Sequence, residues 1–288
     1  MSAFSNTEHT PVANRSLCPI KEVIPESNIV VFSPHYDDFL FMLGGYVMEL
    51  QKQDLLQTKN FHILLIFSRS NYLAGTGNNN FDSSLDRIKL ATGKRMLEDV
   101  ECTDALLGPF NYRYELLGER ECFLRGKNYA NSEMEFPHGM YDDFNDLDHA
   151  IFERIKNQIR HWAQQPDTAL VFPTAFKEHI DHFIVREAAI EVAKEGSSKQ
   201  NAAFYFQEDK PYGGIATEAE KERIANFVAN NNLQIKTYPY DPEAMIDKAF
   251  TYYISQVEEV YKTGIRNRAA LLQQEMKTAV ACDRIYQF

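Results

Sequence analysis

Apolar residues along this chain fall into two alternating patterns. Short continuous runs, rich in β-branched and aromatic residues, occupy 28–33, 61–67, 169–172 and 202–206 and read as buried strands, and the more mixed stretches 111–117 and 234–238 read as two further strands. Between them, apolar positions recur at helical spacing over 39–53, 84–107, 147–165, 183–194 and 219–230, with two further helices between 243 and 280. The helix at 84–107 stops at Gly108 and Pro109, which end helices by their backbone chemistry. Strands that are apolar throughout, alternating with helices, predict a single-domain α/β fold: a doubly wound, mostly parallel sheet with helices on both faces. No internal repeat or linker-like stretch divides it. The expected organisation is a loose polar arm over 1–25 and one domain over 26–288. Two polar stretches, 69–82 and 118–148, break the alternation and suit loops over a site.

Charge narrows the partners. The 288 residues carry 30 basic and 41 acidic side chains, a net charge of −11. That excess repels phosphate backbones and anionic lipid, so neither nucleic acid nor a membrane surface is an expected partner. No run approaches the ~18 apolar residues of a spanning helix, and the N-terminal stretch lacks the basic start and apolar middle of a secretory signal. Cys18, Cys102, Cys122 and Cys282 are scattered, without a C-x-x-C pair. They read as reduced thiols, mostly buried, in a cytoplasmic protein.

In sheets of this type ligands bind beyond the carboxyl ends of the strands, and the chemistry-bearing residues cluster there. The first strand runs into Ser33-Pro34-His35-Tyr36-Asp37-Asp38, followed by Gly44-Gly45. An imidazole and a carboxylate can ligate zinc, and a second carboxylate can remain free to take a proton from water. Asp37 read alone is equally a helix cap. The fourth strand is followed by Glu178-His179-Ile180-Asp181-His182. There Asp181 is placed to accept an imidazole N–H and fix its tautomer. Two His-Asp clusters after two strands of one sheet outweigh the ordinary reading of each histidine as a solvated side chain.

These paired motifs resemble the PIG-L/LmbE-like family of zinc-dependent N-deacetylases. Weaker echoes are Arg95-Met-Leu-Glu98 ahead of Leu106-Leu107-Gly108, Phe206-Gln-Glu208-Asp-Lys-Pro211-Tyr212, and the segment from Lys248 to Tyr253-Ile-Ser-Gln256. The resemblance runs from about Asn28 to the C-terminus. It implies an LmbE-like, Rossmann-like fold with Zn2+ held by His35, Asp38 and His182, and Asp37 as the general base. His179 would stabilise or protonate the tetrahedral intermediate, with Asp181 as its orienting partner. Tyr36 and Phe39 depart from the family, which usually has proline and glutamate there, so the wall around the substrate is expected to differ. The N/O ligand set also accepts iron, cobalt or nickel.

The implied reaction is hydrolysis of an N-acetyl or other N-acyl group on an amino sugar or its conjugate, a small-molecule partner. Two alternatives stay open: a metal-dependent hydratase of an unsaturated acid, and a non-catalytic carbohydrate-binding member. A homo-oligomer is compatible with all three. Arg69, just past the second strand, either reaches a polar substrate group or stands solvated. The loops 69–81 and 118–148 are expected to select the substrate while leaving the metal alone.

Other motifs carry less. Gly75-Thr-Gly77 lacks the third glycine and the helix of a dinucleotide site. The acidic stretch 142–148 lacks the central glycine and closing glutamate of a calcium loop. His9, His62, His138, His149 and His161 repeat neither pattern, and Tyr205, Phe206, Tyr212, Tyr252 and Tyr253 read as core.

Overall fold

The computed structural model describes residues 16–76, 82–127, 144–196 and 200–288. Residues 1–15, 77–81, 128–143 and 197–199, and with them His9, Gly77, His138, Asp142 and Asp143, lie outside the described residues. Seven strands form one sheet: β1 (Asn28–Ser33), β2 (Asn60–Leu65), β3 (Tyr112–Leu116), β4 (Thr168–Pro173), β5 (Ala203–Gln207), β6 (Gln234–Pro239) and β7 (Cys282–Gln287). Their spatial order is β3-β2-β1-β4-β5-β7-β6. The first five are mutually parallel, and β7 runs antiparallel to both β5 and β6. The expected mostly parallel α/β sheet is therefore present.

The pleat explains why the central strands β1 and β4 are buried almost throughout. Ile29 and Val31 of β1 join one core with α2 (Gly45–Lys52), α3 (Leu85–Leu107), α7 (Pro242–Tyr252) and α8 (Glu259–Met276). Val30 and Phe32 point to the opposite core, against α4 (Asp146–Trp162) and α5 (Ile180–Glu195). The remaining helices are α1 (Ile20–Val23) and α6 (Glu218–Asn230). Helix ends follow their chemistry. Ser84 caps α3 through the Arg87 N–H, Gly108 ends it at φ 84°, and Asn145 with Asp148 forms a capping box on α4. Among the described residues, no helix is long and apolar enough to cross a membrane. All four cysteines are free, and three of them are buried.

Three expectations need correction. The arm expected over 1–25 is already packed at its C-terminal end: Ile20, Val23 and Ile24 of the α1 region are at most 2% exposed, and the Cys18 N–H donates to the Thr237 carbonyl at 2.7 Å. Four helical residues are too few to register as periodicity. Helix α5 begins at Ile180 rather than at 183, because the His179 ring acts as its cap, an unusual residue in that role. Strand β7 went unpredicted because Asp283 and Arg284 interrupt its apolar run. Both are buried, Asp283 against the distant Lys210 at 2.8 Å and Arg284 against Glu275, near the end of the preceding helix, at 2.9 Å.

Helix α8 crosses the turn Tyr212–Gly214 with almost no space between backbones. A Cβ on Gly214 would stand 1.8 Å from the Gly264 carbonyl oxygen. Gly214→Ala is therefore expected to destabilise the protein by about 1–3 kcal/mol, the usual cost of overpacking. Denaturant unfolding checks it, and an unchanged midpoint would show that the crossing relaxes freely.

Candidate active site

The strand order reverses beside β1: β2 and β3 lie on one side of it, and β4 and β5 on the other. The crevice beyond the carboxyl ends of β1 and β4 is thus the topological switch point of the sheet. His35, Asp37 and Asp38 leave β1 there, and His179, Asp181 and His182 leave β4. Residues 175–178 between β4 and His179 include three non-glycine positions at positive φ: Ala175 (58°), Lys177 (60°) and Glu178 (53°). Such backbone persists only where the surroundings hold it. Here the Asp209 carboxylate does so, accepting from the Thr174 hydroxyl and the Phe176 N–H, both at 2.9 Å.

The same carboxylate sets a tautomer. Asp209 Oδ1 lies 2.7 Å from His182 Nδ1, which places the proton on Nδ1 and leaves a lone pair on Nε2. Asp181 Oδ2 lies 2.9 Å from His35 Nε2, so His35 keeps its lone pair on Nδ1. These two lone pairs converge with Asp38 Oδ2. The separations are 3.2 Å between His182 Nε2 and His35 Nδ1, 3.3 Å from His35 Nδ1 to Asp38, and 3.1 Å from His182 Nε2 to Asp38. Ligand atoms about 2.0–2.1 Å from a tetrahedral zinc stand about 3.3–3.4 Å apart. Three acceptors facing one another call for a cation between them, and the donor set fits a divalent metal with a free fourth position.

The local charges favour a cation here as well, whether a metal ion or protons on the imidazoles. Burial pushes the His35 imidazole down, yet Asp181 and Asp38 outweigh it and raise it to about 9. Burial likewise opposes His182, but Asp38 and Asp209 hold it well above the ordinary range. Asp38 is driven below its ordinary range, His182 and His35 outweighing the effect of burial.

His179 also stands within 4.8 Å of His35 and His182, and again of Cys122 and Asp181. Its tautomer excludes it as a ligand in either group. His179 Nδ1 accepts the Asp181 backbone N–H at 3.2 Å, so the neutral ring carries its proton on Nε2. Burial, then the neighbouring His35, hold its pKa well below the usual value, and the ring stays neutral. Here the expected partnership is corrected. The Asp181 carboxylate orients His35, and what Asp181 donates to His179 is its backbone N–H.

Asp37 stands apart from the triangle. Its Oδ1 lies 3.6 Å from Arg95 Nη2. Burial, with Asp38 next to it, raises its pKa to about 6, against the pull of Arg95 and His35. Arg95 is itself clamped, donating to Gln256 Oε1 at 2.7 Å and Ser70 Oγ at 2.8 Å and pairing with Glu121.

A cleft of about 450 Å³, open mouth included, is lined by His35, Asp37, Arg95, Cys122, His179 and Tyr212, among others. Tyr212 is thus part of the site and not only core. Arg69, read in sequence as either a substrate contact or a solvated side chain, is exposed and absent from the lining. Its backbone pairs with residues 119–121, turning the side chain outward, and the arginine in the cleft is Arg95. Tyr36 and Phe39 lie in the core and do not wall the cleft. Arg95, Asp209 and Gln256 all fall within the weaker sequence echoes, which were the available signal for them. Glu121 and Arg125, in an irregular stretch, had none.

No family model and no curated protein matches the sequence. Solved structures do match the fold. Teicoplanin deacetylase in its zinc-inhibited form aligns at a TM-score of 0.57 and 16% identity, over 90% of this chain and 97% of that one. The A40926 pseudoaglycone deacetylase aligns at 0.54 and 14%, over 91% and 96%. The N,N'-diacetylchitobiose deacetylase from Pyrococcus horikoshii aligns at 0.50 and 14%, over 93% and 90%. Over nearly its whole length, then, this chain has the α/β fold of these deacetylases.

Proposed function

We propose that this protein is a metal-dependent amide hydrolase that removes an N-acetyl group from an amino sugar or its conjugate. The observation that carries this reading is the convergence of His35 Nδ1, Asp38 Oδ2 and His182 Nε2 within 3.3 Å of one another, beside an unligated Asp37 in the cleft. His35, Asp38 and His182 would hold the ion, with zinc suited to the N2O set. When bound, it supplies Lewis-acid polarisation of a carbonyl and acidifies water toward neutrality.

The chain's own residues do the rest. Asp37, with its pKa near 6, accepts a proton from the attacking water and returns it to the departing nitrogen; such a base is matched to work near neutral pH. Arg95 keeps that carboxylate turned into the cleft. The neutral His179 offers its Nε2–H to the oxygen on which charge develops, a donor fixed before reaction. The deacetylases that share the fold, named for teicoplanin and for N,N'-diacetylchitobiose, favour an acetylated sugar or its conjugate as the substrate of this chain too.

A panel of N-acetylated amino sugars and their conjugates, scored for free amine and acetate, tests this reading. Release of both from at least one member, abolished by a chelator, is expected. Hydration of an unsaturated acid instead would favour the hydratase alternative, and binding without turnover a carbohydrate-binding protein.

A further inference from the structure

The turn Cys122–Arg125 belongs to the stretch expected to frame the pocket while leaving the metal alone. Its contacts reach further, to the carboxylate behind His35. The Arg125 side chain is fully buried. Its Nε donates to Asp148 Oδ1, its Nη2 to Asp181 Oδ1 and its Nη1 to the Arg120 carbonyl, each at 2.6 Å. The guanidinium also lies 4.8 Å from the centre of the Phe67 ring.

Both carboxylates it grips are committed elsewhere. Asp148 closes the α4 capping box on the Asn145 N–H at 3.0 Å and pairs with Lys127 at 2.8 Å. Asp181 takes the Cys122 N–H at 3.1 Å and His35 Nε2 at 2.9 Å on its other oxygen. An unbroken buried chain therefore runs from the start of α4 through Asp148, Arg125 and Asp181 to the ring of His35.

On the proposed metal centre, we infer that Arg125 is a positioning residue for the metal: it fixes Asp181, and Asp181 fixes the tautomer and rotation of His35. Without the guanidinium, one oxygen of Asp181 is left buried and uncompensated, an arrangement proteins do not sustain. The carboxylate then rotates, and the rotation releases the His35 Nε2–H that aims Nδ1 at the metal. A lysine restores the charge but not the fork that holds two carboxylates at once.

The test reads metal binding, not turnover. Zn2+ affinity is measured by competition with a chromogenic chelator, and the ligand field by the visible absorption of the Co2+-loaded protein. Arg125→Gln is expected to weaken Zn2+ binding about 10–100-fold, the usual cost of losing a group behind a ligand, and to alter the Co2+ bands. Arg125→Lys should fall between it and wild type. Asp148→Asn, which loosens the other anchor of Arg125, should move the same way, and it decides the matter if Arg125→Gln does not fold. Arg154→Gln, which removes a surface pair with Glu119, should change nothing. Folded Arg125→Gln or, in its place, Asp148→Asn with wild-type Zn2+ affinity and Co2+ spectrum would overturn the inference. His182→Ala, run alongside, separates the two claims. If it loses Zn2+ while Arg125→Gln keeps it, only the role of Arg125 falls; if it too binds Zn2+ normally, the metal centre falls with it.

Discussion

Asp37→Asn is expected to keep its metal and lose a factor of roughly 10²–10⁴ in kcat, the usual reach of a general base. That loss corresponds to about 3–5 kcal/mol of barrier. Asparagine preserves the size of the side chain and removes only the proton acceptor. Asp37 makes none of the three contacts that define the metal triangle, so occupancy should not follow activity down. Steady-state turnover on a substrate from the sugar panel, with metal content measured on the same samples, checks both halves. Full activity in Asp37→Asn would place the base elsewhere.

His182→Ala is expected to abolish most metal binding, a loss larger than the about 10–100-fold that changes behind the ligands cost. It removes one lone pair of three and also strands Asp209, whose Oδ1 sits 2.7 Å from the His182 ring. His179→Ala should behave differently although it lies three residues away. Its ring donates from Nε2 and has no lone pair to offer there, so the metal stays. Turnover should fall about 10²–10³-fold, as for loss of an oxyanion donor. Chelator competition on the two variants reads the contrast. Equal metal loss in both would mean that His179 is a ligand and that its tautomer has been assigned wrongly.

The elements that place the site were legible in the sequence because their signals are local. Strands β1 and β4 are continuous apolar runs, and the His-Asp clusters follow each of them directly. The adjacency of those two strands is not local information, and neither is the switch point that their pairing creates. Asp209 and Arg95 illustrate the limit. Each lies far from the motifs in sequence, and its role comes only from where β5 and α3 bring it. Arg69 shows the converse. Its position after a strand end was right for a site residue, but pairing with residues 119–121 turned it to solvent. Strand β7 stayed hidden because buried, paired charges such as Asp283 and Arg284 look, in sequence, like a solvated stretch.

The account rests most heavily on the division of labour between adjacent carboxylates, and zinc content of Asp37→Asn and Asp38→Ala tests it most directly. Both proteins would be loaded with Zn2+, desalted and analysed for metal beside wild type. The account predicts about one zinc per chain in wild type and Asp37→Asn, and close to none in Asp38→Ala. Zinc retained by Asp38→Ala and lost from Asp37→Asn would contradict it.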